Sequence, residues 1–272
     1  MRALKSKSLV LDVYGAFVRD LGGWISVSDL IELMAAVGYE EQVTRTSVSR
    51  FTRKGLLERR KMKDAVGYQL TSHARHILDE GDDRIYGRLD PGRLADGWAL
   101  LTFSIPESIR AQRHQLRSRL TWLGFGSLGG GAWIAPRRML EKARRVVVDL
   151  DLESYVDIFE SHYHGFATNA DLVGRCWDLG EIRASYMRYL DDTRPVLDRY
   201  ATVDPDDVRR DAFGDYVTAL HEWRKLPFMD PGLPQELLPD DWEGRQAAEL
   251  FGRFQRELEP AARRHVVEVV TT

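Results

Sequence analysis

The sequence predicts a multidomain α+β chain of three blocks. Three observations carry this: a short-helix segment closed by a basic hairpin, a middle run alternating strand and helix patterns, and a long helical remainder. The 272 residues carry 39 Lys+Arg against 42 Asp+Glu, a net charge of −3, with 43% hydrophobic residues, enough to build a sizeable core. The total conceals an asymmetry. Residues 1–70 hold 12 Lys+Arg and 8 Asp+Glu, residues 71–175 hold 14 of each, and residues 176–272 hold 13 and 20. A basic start and an acidic end suggest modules with different partners.

The first block is expected to cover residues 1–90. Leu9, Val10, Val13, Phe17 and Val18 recur at helical spacing. Ser26 caps a second helix, with Asp29 three residues on and Leu30, Leu33 and Met34 on its apolar face, and Gly38 ends it. A third helix starts near Glu40 and stops before Gly55, with Val43, Val48 and Phe51 expected inward and Ser47 on the same face as Val43 and Phe51. Leu56–Arg60 and Tyr68–Thr71 read as a β-hairpin, and the charged stretch Asp79–Arg88 before Asp90-Pro91-Gly92 reads as a linker.

The middle block, 91–174, reads βαββαβ, the ferredoxin-like order. Trp98–Phe103 is a strand, Pro106 opens a helix carrying Ile109, Leu116, Leu120 and Leu123, and a short strand lies near Phe125. Gly131–Ala135 is a strand, Arg137–Val148 has helical spacing, and Tyr155–Phe159 closes the block. The last block, 175–272, is expected to be all-α, with helices over 177–199, 206–229 and 241–259.

Helix–turn–helix followed by a basic hairpin is the pattern of a winged helix. Residues 44–63 hold eight Lys+Arg against Glu58 alone, a local net of +7. At 100° per residue, Arg45, Thr46, Ser49 and Arg53 turn away from the inward face. Guanidiniums there suit guanine edges and phosphates, and hydroxyls suit backbone oxygens. The candidate DNA-contacting residues are Thr44, Arg45, Thr46, Ser49, Arg50, Arg53 and Lys54 on the helix, and Arg59, Arg60, Lys61 and Lys63 in the wing.

Other constellations are weaker. Gly124-Phe125-Gly126-Ser127-Leu128-Gly129 matches G-x-G-x-x-G, but a helix precedes it and a strand follows, the reverse of a dinucleotide loop. His162 and His164 share a strand face and His73 and His76 lie three apart, yet no ligand pair completes a metal site. Cys176 alone makes neither a disulfide nor a cysteine-rich zinc site. There is no G-x-S-x-G, and Asp240 and Asp241 read as a helix cap. No enzymatic activity, metal or cofactor is therefore expected. Aromatic residues of the last block suggest a sensor pocket with a cationic mouth, for which Trp177, His221, Trp223, Arg224, Lys225 and Arg245 are the candidates. No apolar run reaches the ~18 residues that would span a bilayer, and no signal peptide is read, so a cytoplasmic location is expected.

The stretches 8–38 (SLVLDVYGAFVRDLGGWISVSDLIELMAAVG), SRFTRKGLL, GYQLT, 98–128 (WALLTFSIPESIRAQRHQLRSRLTWLGFGSL) and 229–251 (MDPGLPQELLPDDWEGRQAAELF) resemble the PaaX-type transcriptional repressors of phenylacetate catabolism. The resemblance runs from near residue 8 to about residue 265. It implies a winged-helix DNA-binding domain, a middle domain similar to a CRISPR-associated nuclease subunit, and a helical C-terminal domain for effector sensing or dimerisation. It also implies a homodimer on operator DNA, released by an aryl-CoA thioester such as phenylacetyl-CoA. In the nuclease relatives an Asp ends the first strand and binds the metal, where this chain has Ser104. A hydroxyl is no anchoring Mg²⁺ ligand, so a spacer or dimerisation role is expected, with Glu107 nearby. The alternatives are a metal-dependent nuclease, or a similar regulator answering a different catabolic metabolite.

Overall fold

The computed structural model describes residues 8–62, 64–87 and 92–271. In chain order the elements are α1 (Leu9–Val13), continued by a wide turn over Tyr14–Val18, β1 (Trp24–Ser26), α2 (Val27–Ala36), α3 (Glu41–Arg53), β2 (Leu57–Met62), β3 (Ala65–Leu70) and α4 (Ser72–Ile85). Then follow β4 (Trp98–Phe103), α5 (Arg110–Trp122), β5 (Gly126–Gly129), β6 (Ala132–Pro136), α6 (Leu140–Asp149) and β7 (Val156–Ser161). The rest is helical: α7 (Asn169–Cys176), α8 (Leu179–Asp198), α9 (Arg209–Trp223), α10 (Leu226–Met229), α11 (Glu243–Glu257) and α12 (Glu259–Thr271).

These elements pack as two compact units. One comprises Met1–Gly87, Arg188–Arg224 and Arg245–Thr272, the other Arg88–Met187 and Lys225–Gly244. The segment 175–272, expected as one helical body, thus contributes to both. The reason is visible in α9, where Ala212, Phe213, Tyr216, Val217, Ala219, Leu220 and Trp223 are buried and only the stripe Asp211, Asp215, Thr218 and Glu222 is polar. A helix with so wide an apolar face needs neighbours on several sides. In the first unit α9 packs against α1, α2 and α12. Phe17 meets Phe213 at 5.5 Å and Tyr216 at 5.8 Å between ring centroids. Gly214 permits the approach, because a Cβ there would lie 2.7 Å from the Ala36 carbonyl oxygen.

The N-terminal elements of that unit form as their sequence directs. Ser26 caps α2, its hydroxyl accepting from the Asp29 amide at 3.1 Å. β2 and β3 pair antiparallel from Leu57 opposite Leu70 to Met62 opposite Ala65, and β1, which was not expected, adds to β3. The stretch Asp79–Arg88 is not a linker as far as it is described. Thr71 caps α4, which runs to Ile85, and Arg19 takes Asp79 at 3.0 Å and Asp82 at 2.7 Å. Asp90 and Pro91 lie outside the described residues.

In the second unit the sheet order is β5-β6-β4-β7, all antiparallel, with β4 and β6 central. Alternation along the strands fills two layers. Ala99 and Leu101 of β4 join Trp133 and Ala135 of β6 under Leu116 and Leu120 of α5 and Ala143 and Val147 of α6. Trp98 and Ile134 point to the opposite face and are covered by Leu172 and Val173 of α7 and by Leu233. The string Asp230-Pro231-Gly232-Leu233-Pro234, which follows α10, therefore caps the second face of the sheet. Arg138 donates to the Gly232 carbonyl at 2.8 Å, Asp230 takes the Gly232 amide, and Tyr186 donates to Asp230 at 2.8 Å.

Leu116 is fully buried between the helices and the sheet. Leu116→Ala is expected to lower the unfolding free energy by about 2–5 kcal/mol, as such core truncations do. Denaturant titration reads this directly, and a loss below 1 kcal/mol would mean that the helix layer packs loosely.

Candidate nucleic-acid interface

Helix α3 begins three residues after the left-handed Gly38 (φ +77) and carries Glu41 in its first turn and Arg50 and Arg53 in its last. Those charges oppose the helix dipole at both ends. Its buried face is Thr44, Ser47, Val48 and Phe51, spaced as one stripe of an α-helix. Ser47 and Phe51 are inward as expected. Val43, also expected inward, is exposed, and Thr44, nominated as a DNA contact, is buried with its hydroxyl donating to the Glu40 carbonyl at 3.3 Å. The face is set by Val48 and Phe51, and Thr44 lies four residues before Val48. Its polar atom is satisfied within the helix, so it sits in the core at little cost.

On the opposite side 100° steps align Gln42, Arg45, Thr46, Ser49 and Arg53, and all five are exposed. Gln42 was not among the sequence candidates, although its amide is suited to an adenine edge. The stripe is held in place by light contacts. Arg45 Nε meets Glu41 at 2.7 Å, Thr46 Oγ1 donates to the Gln42 carbonyl at 2.8 Å, and Arg53 Nη1 donates to Ser49 Oγ at 3.4 Å. Such exposed pairs are worth under about 1 kcal/mol, so a phosphate or base can displace them. Arg50 lies on the flank, half-buried, its guanidinium 5.0 Å from the centroid of the Phe51 ring, and Lys54 is exposed at the helix end.

In the hairpin only Leu57 of β2 is buried, and Arg59, Arg60 and Lys61 are exposed. Lys61 Nζ lies 3.5 Å from Asp64. Lys63 lies outside the described residues. The indole of Trp24 anchors this strand by donating to the Arg60 carbonyl at 3.2 Å. Gly67, paired with Arg60 across the hairpin and with Ser26 on the other side, leaves no room for a side chain. A Cβ there would meet the Ile25 carbonyl oxygen at 2.2 Å and the Trp24 ring at 2.6 Å. The result is a helix face of guanidinium, amide and hydroxyl groups, and beside it in the same unit a cationic hairpin.

Three family models match successive parts of the chain: "PaaX-like protein" over residues 5–74, "PaaX protein central Cas2-like domain" over 91–173, and "PaaX-like protein C-terminal domain" over 177–268. The chain belongs to the PaaX family. It is 26% identical over 264 residues to the transcriptional repressor PaaX of Escherichia coli (strain K12), covering 96% of this chain and 83% of that one. Among solved structures it is similar to the uncharacterized protein Rv0674 from Mycobacterium tuberculosis, at a TM-score of 0.59 and 25% identity, over 94% of this chain and 97% of that one.

In this PaaX-family chain the nominated effector residues divide between the two units. Trp177 belongs to the second. It stacks on Trp98 at 6.3 Å, donates to the Gly124 carbonyl at 3.0 Å, and lines a cleft of about 840 Å³ with Val173, Arg175, Leu179 and Leu237. Trp223 belongs to the first, buried against Phe251 at 5.1 Å and Tyr189 at 5.8 Å, with its indole donating to the Ile85 carbonyl. His221 is fully buried with its Nδ1 against Asp12 Oδ2, while Arg224 Nε lies 2.6 Å from Asp12 Oδ1 and its Nη2 donates to Ser8 Oγ at 2.8 Å. These three side chains, expected at a pocket mouth, are instead held in an ion cluster or in packing and serve as scaffold. Lys225 and Arg245 are exposed.

Around the expected nuclease position, Ser104 follows β4 and its amide donates to the Tyr155 carbonyl at 3.0 Å. Glu107 is bound by Arg113 at 2.7 Å. Among the described residues no three His, Cys, Asp or Glu side chains gather to hold a metal ion. Burial raises the Cys176 thiol above its ordinary pKa, which keeps it protonated and a poor nucleophile.

The Asp12 cluster makes a specific demand. Asp12→Ala leaves a buried imidazole and a half-buried guanidinium without their carboxylate and is expected to cost about 3 kcal/mol of stability. Thermal unfolding at neutral pH checks it, and an unchanged midpoint would show that the three groups do not act together.

Proposed function

We propose that this protein is a transcriptional repressor that binds operator duplex DNA through α3 and the β2–β3 hairpin, used as a winged helix. The observation that carries the reading is the exposed stripe of α3, with Gln42, Arg45, Thr46, Ser49 and Arg53 on one face, in the same unit as the cationic strand Arg59–Lys61. The repressor role is supported by membership of the PaaX family and by the similarity to the Escherichia coli transcriptional repressor PaaX.

In this reading α3 lies in the major groove. Arg45 and Arg53 reach guanine edges or flanking phosphates, and Gln42 reaches an adenine edge. Arg59, Arg60, Lys61 and Lys63 meet phosphates, which adds affinity and salt dependence with little sequence information. A homodimer would set two such helices about 34–36 Å apart, one helical turn, on a palindromic operator. The βαββαβ unit serves as spacer or dimerisation element, since Ser104 offers no carboxylate to a metal.

The effector in this reading is an acyl-CoA thioester such as phenylacetyl-CoA, whose binding favours a dimer geometry that misfits the operator. A coupling of about 1–3 kcal/mol, roughly 5–150-fold in affinity, is enough for such a switch. Trp177, with the apolar walls of the cleft it lines, is the nominated residue best placed to meet an aryl group. A thermal-shift screen of CoA thioesters, followed by release of bound duplex, identifies the acyl group.

Fluorescence anisotropy with duplexes from upstream of the protein's own gene tests the interface. Arg45→Ala and Arg53→Ala are each expected to weaken binding by about 1–3 kcal/mol and to relax sequence preference. Tight binding unchanged in both variants would remove α3 from the interface, and failure to bind any upstream fragment would overturn the repressor reading.

A further inference from the structure

The even charge of residues 71–175 conceals a second concentration of cations. Residues 107–149, which hold α5, β5, β6 and α6, carry nine Lys+Arg against three Asp+Glu, a net of +6. The compensating acids follow immediately, with Asp151, Glu153, Asp157 and Glu160 and no Lys or Arg between residues 151 and 160. Leu116 and Leu120 of α5 and Ala143 and Val147 of α6 fix the two helices side by side on one face of the sheet, so their polar sides form one outer layer.

Part of this charge is engaged within the unit. Arg113 is bound to Glu107 at 2.7 Å and Arg110 reaches the same carboxylate at 3.9 Å, Arg119 reaches Asp149 at 3.3 Å, Arg137 meets Glu160 at 2.6 Å, and Arg138 donates to the Gly232 carbonyl. Four cations are left over. Arg117 of α5 and Lys142, Arg144 and Arg145 of α6 are exposed and make no ion pair among the described residues. Arg117 lies 5.8 Å from the centroid of the Trp133 ring, which orients the guanidinium without neutralising it. Two of the three acids in the segment, Glu107 and Asp149, are already bound by arginines, and only Glu141 remains on the layer.

We propose that the α5–α6 face is a second phosphate-contacting surface, which lies along the backbone of duplex DNA. The distribution favours an extended polyanion over a small anion. A small anion needs cations that converge on one point, whereas these lie on two helices, and α5 alone is about 20 Å long at 1.5 Å per residue. Duplex DNA presents a charge about every 1.7 Å along its axis and matches a spread layer of this kind. Guanidinium and ammonium groups spread in this way suit phosphates, so the contribution expected of the face is affinity and not sequence choice. The proposal rests on the duplex-binding reading given above and extends it to the middle unit.

The test uses the full-length protein and a quadruple variant, Arg117→Ala/Lys142→Ala/Arg144→Ala/Arg145→Ala, with the four-lysine version (Arg117→Lys/Arg144→Lys/Arg145→Lys, Lys142 kept) as a charge-preserving control. Binding to a duplex several helical turns long is followed by anisotropy between about 50 and 200 mM salt. The alanine variant is expected to fold, to bind at least about tenfold more weakly at low salt, and to lower the slope of log K against log salt by about two to four. The lysine version is expected to keep the wild-type slope. An alanine variant with the wild-type slope, beside Arg45→Ala and Arg53→Ala variants that bind weakly, would overturn this proposal alone. Loss confined to the quadruple variant would sustain it and overturn the α3 assignment. A wild-type protein that binds no duplex would overturn both. A quadruple variant with unchanged DNA binding but impaired self-association in sedimentation would assign the face to a second copy of the chain, and so against DNA.

Discussion

Helix α9 is buried around most of its circumference, all but a narrow polar stripe, and the first unit depends on that. Phe213, Tyr216, Val217 and Leu220 are covered from several directions at once, so α1, α2 and α12 are drawn to it from distant parts of the chain. The hydrophobic term is large enough to decide the matter. Each fully buried aromatic or aliphatic side chain contributes about 1.5–3 kcal/mol relative to leaving it in water. Helix α2, and α3 packed on it, are therefore mounted on a core built partly from the end of the sequence. A minimal fragment of about 90 residues would lack that support.

The same fact explains which parts of the fold were readable in advance. Local signals were strong where a single residue type has a single job. Ser26 and Asp29 mark the start of α2, and Trp98–Phe103 is a strand with those same limits in the structure. β1 was missed because three residues are too few to show a period, and it exists because β3 offers it an edge. The charged residues of α4 looked like a linker because Asp79 and Asp82 have their partner at Arg19, sixty residues earlier. α12 follows α11 with one residue between them and carried no separate start signal.

The candidate interface was readable to within one helical step. Period alone placed Arg45, Thr46, Ser49 and Arg53 outward, because four residues sharing a face are robust to a small rotation. It failed at Thr44 and Val43, where polarity was a poor guide: a threonine that bonds its own helix is content in a core, and a valine beside it is left in water. Among the effector candidates the difficulty was of another kind. His221 and Arg224 look like a cationic mouth only when Asp12, 209 residues before His221, is out of view.

That separation also bears on how the protein is made. A ribosome adding about 5–20 residues per second delivers Asp12 long before His221 emerges. Through that interval the N-terminal helices exist without the carboxylate's partners and without α9 to cover Phe17. The unit that carries α3 thus acquires its support only when most of the chain is out, and messages cut short upstream of α9 yield polypeptides with an exposed apolar flank.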